Sequence, residues 1–204
     1  MQAKEKNEEF GKWKRLLQDA YAEIRADQRM YDILVLGHAH MYAELIPSRL
    51  VRMFEIFKRD CNFNSNSVFV DLGCGVGKVV YMAFKSGVRE SIGIEEEKKH
   101  VEEMKKSMKN LTAEGVKIIH GLIEEHLHEV SHVTHLYSFD FVFSPTTLNT
   151  IFAFVKKHTG VYWASFQRPA DLTARGLKFQ ILEEITGKMS RSKESHKCYV
   201  YKII

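Results

Sequence analysis

Val68-Phe69-Val70-Asp71-Leu72-Gly73-Cys74-Gly75-Val76-Gly77-Lys78, followed by Ser91-Ile92-Gly93-Ile94-Glu95, is the most informative part of the chain. The first stretch reads as a buried apolar strand that enters a glycine-rich turn and then a helix. The second reads as a strand ending on a carboxylate. In an open α/β sheet this layout builds a nucleoside-binding crevice at the carboxyl ends of the strands. The dinucleotide version of the turn is G-x-G-x-x-G and would need a glycine at Lys78. Here the pattern is D-x-G-x-G-x-G, with Asp71 two residues before the first glycine. A carboxylate at that place repels a pyrophosphate.

The same carboxylate suits a nucleoside ligand that brings a cation. S-adenosyl-L-methionine carries a sulfonium and a free amino group and has no phosphate. Asp71 can accept from the amino group, and Glu95 from both ribose hydroxyls. Gly73, Gly75 and Gly77, with Cys74 between them, let backbone approach the methionine portion where a Cβ would collide. The pattern resembles the first two motifs of the class I methyltransferases. That resemblance implies an α/β, Rossmann-like fold: a mostly parallel seven-stranded sheet, helices on both faces and an antiparallel C-terminal strand.

Composition is compatible with this. The chain has 204 residues, 45% of them hydrophobic and 27% charged, which is ordinary globular usage and argues against disorder. The expected division is one compact unit, with N-terminal helices and a cofactor-covering loop over 1–61 and the methyltransferase core over 62–204. Cys61, Cys74 and Cys198 are odd in number and scattered, giving neither a disulfide framework nor a metal-ligand spacing. An intracellular location is expected, and no signal sequence or membrane span is visible. The net charge of +4 permits a nucleic-acid partner without demanding one.

Along the chain, Phe10, Trp13, Leu17, Tyr21 and Ile24 predict an amphipathic helix over about 5–28. Residues 31–45 read as a loop. Pro47 then opens a helix to about Asp60, with Leu50, Val51, Phe54 and Phe57 inward. Beyond Glu95 a helix with the stripe Val101, Met104, Met108 and Leu111 follows. Val116–His120 reads as a third strand, 139–143 as a fourth, 147–157 as a helix and 160–166 as a fifth strand. Two more strands, over 177–182 and 197–203, flank a long polar loop. His126, His128, His132 and His135 read as part of a solvated helix rather than a metal site, since no Cys or acid completes a ligand spacing.

A narrower resemblance rests on Tyr42-Ala43-Glu44-Leu45 with Ser48, on Asp71-Leu72-Gly73-Cys74-Gly75-Val76-Gly77, and on the polar stretch 187–196 leading into Tyr199 and Tyr201. These are similar to segments of the disruptor-of-telomeric-silencing family, the histone lysine methyltransferases that lack a SET domain. The resemblance implies a protein-lysine N-methyltransferase acting on a histone-like or other basic protein, with nuclear localisation and otherwise a cytoplasmic one. It also implies that Tyr42 and Glu44 cover the cofactor. In place of the family's adenine-reading acid, the chain has the apolar pair Leu122 and Ile123, expected to sandwich adenine. The fourth strand is expected to deliver Ser144, followed by Pro145, to the methyl group, so Ser144 and Tyr42 are the candidate catalytic residues.

A lysine acceptor must be deprotonated, which from a pKa of about 10.4 to pH 7 costs roughly 4–5 kcal/mol in water. An apolar channel and the adjacent sulfonium both favour the neutral amine. Phe143, Tyr162, Trp163, Phe166 and Tyr199 are candidates for its walls. Two other functions fit the same motifs. Ser144-Pro145 and the basic balance suggest an RNA or DNA methyltransferase, and the irregular adenine and strand-four segments suit a non-catalytic cofactor-binding subunit.

Overall fold

The computed structural model describes residues 8, 10–19, 22, 47–107, 115–188 and 195–204. Seven strands form one sheet: β1 (Val68–Leu72), β2 (Glu90–Glu95), β3 (Val116–His120), β4 (His135–Ser138), β5 (Tyr162–Ser165), β6 (Phe179–Lys188) and β7 (Ser195–Ile203). Their order is β3-β2-β1-β4-β5-β7-β6. The first five strands are parallel; β7 runs antiparallel to both β5 and β6. This is the expected Rossmann-like architecture, and the chain order reverses direction across the sheet at β1, beside β4.

The helices are α1 (residues 10–19), α2 (Pro47–Asp60), α3 (Lys78–Lys85), α4 (Lys98–Ser107), α5 (Ile123–His126), α6 (Pro145–Lys157) and α7 (Pro169–Ala174). All five residues of β1 are buried, as a central strand covered on both faces requires. On one face α1, α2 and α3 cover Phe69, Tyr137, Ala164 and Val200. Phe54, Phe57, Phe63 and Phe69 lie in mutual ring contact there, with centroids 5.7–6.5 Å apart. The other face packs Val68, Val70, Leu72, Ile92 and Ile94 against Ile151, Phe152 and Val155 of α6. Trp13 Nε1 donates to Ser86 O at 3.2 Å, and Arg52 and Arg59 both pair with Glu183 of β6. α1 is thereby tied to the end of α3, and α2 to the edge strand β6. Tyr21, Ile24, Met108 and Leu111 lie outside the described residues.

One expected element is displaced. Residues 139–143 do not form the fourth strand; β4 is His135–Ser138, and Asp140–Val142 is a 3₁₀ turn. The cause is Asp140, which is fully buried. Its carboxylate accepts from Ser138 Oγ at 2.8 Å, Ser165 Oγ at 2.5 Å and the Phe166 amide at 2.8 Å. Burial lifts its pKa to about 6 against these hydrogen bonds. A strand would point Asp140 into apolar core without such partners, so the chain turns instead.

The histidine segment is likewise not one helix. His126 ends α5, His128 lies in a 3₁₀ turn, His132 has a positive φ of 59° and His135 is inside β4. The C-terminal strands are longer than expected and absorb much of the polar loop, pairing from Phe179 with Ile203 to Lys188 with Ser195. Residues 189–194 lie outside the described part.

His135 is buried among Phe57, Phe63 and Tyr162 and bonded to Cys61 O at 2.9 Å. Burial holds its pKa down to about 4, partly offset by the Cys61 carbonyl. The unfolded chain takes up this proton near pH 6.5 and the folded chain does not, so stability is lost as pH falls from about 6.5 towards 4, by up to about 3 kcal/mol. Urea unfolding midpoints at pH 7 and 4.5 should show this loss. His135→Phe should be less stable at pH 7 and show a flatter acid slope.

Candidate active site

Four strand ends converge on one cavity of about 530 Å³, bordered by residues of β1, β2 and β4, of the loops that follow them and β3, and by Leu50 of α2. The size is that of a small-molecule site. After β1 the chain turns sharply through the glycines. A Cβ on Gly73 would stand 3.0 Å from the Phe143 ring, and its φ of 70° is one that side-chain-bearing residues avoid. Gly77, with φ 83°, takes the left-handed conformation that starts α3.

Glu95, the last residue of β2, ties this loop to the next one. Its Oε2 accepts from the Gly75 amide at 2.8 Å, and its Oε1 from the Glu97 amide at 2.9 Å and from His100 Nδ1 at 3.4 Å. Burial alone would raise its pKa, but the bonds from His100 and the two amides outweigh burial and hold the carboxyl below its ordinary range. His100 is raised in turn, chiefly by its bond to Glu95. Each carboxylate oxygen has two acceptor sites; Oε1 already accepts two bonds, and Oε2 keeps one further site.

Asp71 is in the opposite condition. It is 2% exposed, borders the cavity and receives no hydrogen bond among the described residues. Burial, reinforced by the charge of Glu95, pushes its pKa well up. Lys78 also borders the cavity, and burial lowers its pKa to about 8. The Cys74 thiol is pushed up by burial and by both acids, so it is not a poised nucleophile. Carboxylates predominate in the lining: Asp71, Glu95, Glu96, Glu97 and Glu124, against Lys78 and His100.

Of the residues singled out from sequence, Asp71, Gly73, Cys74, Gly75, Glu95, Leu122, Ile123 and Ser144 border this one cavity, whereas Gly77 shapes the loop from behind it. Tyr42 and Glu44 lie outside the described residues. Ser144 is not at a strand end. It caps α6, accepting from the Thr147 amide at 3.1 Å. Thr147 Oγ1 in turn donates to Glu124 at 2.5 Å, linking α6 to α5. Of the proposed aromatic walls only Phe143 borders the cavity. Trp163 donates to Ser138 Oγ inside the core, Tyr162 stacks on His135, Phe166 meets Phe139 edge-on and Tyr199 stacks on Tyr201. Tyr137, His100, Glu124 and Lys78 were not among the sequence candidates. The register of β4 on β1, which sets Tyr137 beside Asp71, is the signal that finds the first of them.

Residues 30–134, just over half of the chain, match the family model described as histone methylation protein DOT1. No curated protein sequence matches. Among solved structures, a Pyrococcus horikoshii protein described as an RNA methyltransferase, PH1948, superposes with TM-score 0.62 at 14% identity, over 79% of this chain and 86% of its own. MtNAS, solved with MTA and tNA, gives TM-score 0.59 at 14% identity over 93% and 70%. TrmK of M. capricolum, solved with S-adenosylhomocysteine, gives 0.54 at 12% identity over 74% and 67%. These structural likenesses establish the fold.

An ammonium-bearing ligand against Asp71 needs the carboxylate ionised. Below the raised pKa of Asp71 the ligand must displace a proton, so affinity should fall as pH falls and level off above that pKa. Calorimetric titration with S-adenosylhomocysteine across pH is expected to show this slope. Asp71→Asn should bind more weakly at high pH and lose the slope.

Proposed function

This chain belongs to the histone methylation protein DOT1 family and is an S-adenosylmethionine-dependent methyltransferase; from that premise we propose that its acceptor is the ε-amine of a lysine in a histone-like or other basic protein. The observation that carries the reading is the carboxylate-rich lining of the strand-end cavity. A polyanionic backbone entering there would meet Glu96, Glu97 and Glu124 before reaching the floor, whereas a lysine side chain is drawn in. Val142, exposed at the border, offers apolar surface to the aliphatic stem of such a side chain.

In this reading Asp71 receives the cofactor's ammonium and Glu95, through its remaining Oε2 site, a ribose hydroxyl, while Leu122 and Ile123 flank the adenine. Gly73, Cys74 and Gly75 line the methionine portion. Bound there, the cofactor supplies a methyl carbon from which a neutral amine displaces a thioether, so the chain need only align the groups and exclude water. Phe143, packed over Gly73, and Val142 beside it keep the acceptor side dry. Ser144 and Tyr42 are the candidates for contact with the acceptor amine. A nuclear setting follows from a histone substrate, and among the described residues no helix is long and apolar enough to cross a membrane.

Incubation with methyl-labelled cofactor and, separately, core histones, nucleosomes and total RNA tests the reading. Label on protein lysines is expected; label in RNA would replace the acceptor assignment, and cofactor binding without any label would indicate a non-catalytic subunit. Glu95→Ala should weaken cofactor binding by about 1.5–3 kcal/mol, the usual cost of removing a charged hydrogen-bond partner. Because Glu95 also holds the Gly75 amide, that variant should lose some thermal stability as well. Ser144→Ala should cost about 1 kcal/mol of stability through the lost cap. A fall in kcat beyond that, with cofactor affinity kept, is expected if Ser144 meets the acceptor.

A further inference from the structure

Two deeply buried polar groups at the cavity floor differ from those around them. Ser138, Asp140, Trp163 and Ser165 all have hydrogen-bond partners within the protein. Asp71 and Tyr137 are 2% and 3% exposed, yet no hydrogen bond to either side chain occurs among the described residues. Both border the cavity. They are register partners on the parallel strands β1 and β4, so they leave the same face of the sheet side by side, about 4.8 Å apart at the backbone. Neither polar group is engaged by the protein among the described residues, so both are available to the polar groups of a ligand in the cavity they border.

We propose that Tyr137 is a specificity-determining residue of the cofactor site: its phenol donates to the α-carboxylate of the cofactor's amino-acid end while Asp71 takes the ammonium of the same end. The proposal rests on the reading of the cavity as the S-adenosyl site. An α-amino acid carries a cationic donor and an anionic acceptor on one carbon, and the floor presents an anionic acceptor beside a neutral donor. Burial and the nearby Cys198, Asp71 and Asp140 keep the phenol protonated, so it serves as a donor and not as a second anion. The positive charge of Lys78, on the same lining, further favours a carboxylate over a neutral group at this end. The floor therefore selects a ligand with an intact amino-acid moiety over a truncated nucleoside.

Calorimetry with two probes tests this: S-adenosylhomocysteine, and 5′-methylthioadenosine, which keeps the nucleoside and sulfur but lacks the amino acid. Tyr137→Phe retains the ring and its packing. It should weaken S-adenosylhomocysteine by roughly ten-fold or more and leave methylthioadenosine unchanged. Decarboxylated S-adenosylhomocysteine should bind wild type and variant equally. Undiminished S-adenosylhomocysteine affinity in the variant, or an equal loss for both probes, would overturn the role of Tyr137. Failure of the wild-type protein to bind either probe would instead defeat the cavity reading itself.

Discussion

A buried carboxylate that makes no hydrogen bond or ion pair among the described residues, Asp71 at the end of the central strand, is the constraint around which the site is organised. Burial and the neighbouring charge of Glu95 disfavour its ionised form, so the folded protein carries an unfavourable group that a cationic ligand relieves. Glu95, at the end of the neighbouring strand β2, is treated oppositely. Two backbone amides and His100 stabilise its charge and make it a fixed part of the loop. One acid thus holds the cradle together, and the other waits for what enters it.

The rest of the fold serves to keep this arrangement in place. Because β1 lies between β2 and β4 with every residue buried, Asp71 and the glycine turn cannot shift without disturbing both core faces. The aromatic cluster beneath α2 and the paired arginines on Glu183 hold Leu50 at the cavity wall. On the other side, Asp140 gathers Ser138, Ser165 and Phe166 into one hydrogen-bonded knot. That knot turns the chain so that Val142 and Phe143 face the cavity instead of running on as a strand.

How far this was legible from residues alone depends on the range of the interactions. The β1–glycine turn–β2 unit was readable because each of its demands is local: apolar run, positive-φ glycines, an acid at a strand end. The third strand was read at its observed bounds for the same reason. The fourth differs because Phe139-Asp140-Phe141-Val142-Phe143 alternates as a strand does, while two of the three partners that hold the turn, Ser165 and the Phe166 amide, lie 25 and 26 residues away at the end of β5. His135, polar by type, hid the true strand, since only the packed rings of Phe57, Phe63 and Tyr162 explain its burial. The same alternation hides Tyr137 as a neighbour of Asp71 and puts Ser144 at a strand end, whereas it caps a helix. The Tyr42–Leu45 segment lies outside the described residues.

The central claim is that this acid-floored hollow accepts an adenosyl ligand bearing positive charge and rejects phosphate. Side-by-side calorimetric titration of the protein with S-adenosylhomocysteine and with ATP measures it directly. Saturable one-to-one binding of S-adenosylhomocysteine, with no heat from ATP at the same concentrations, is the predicted result. Binding of ATP at least as tight as that of S-adenosylhomocysteine, displaced by it competitively, would contradict the account.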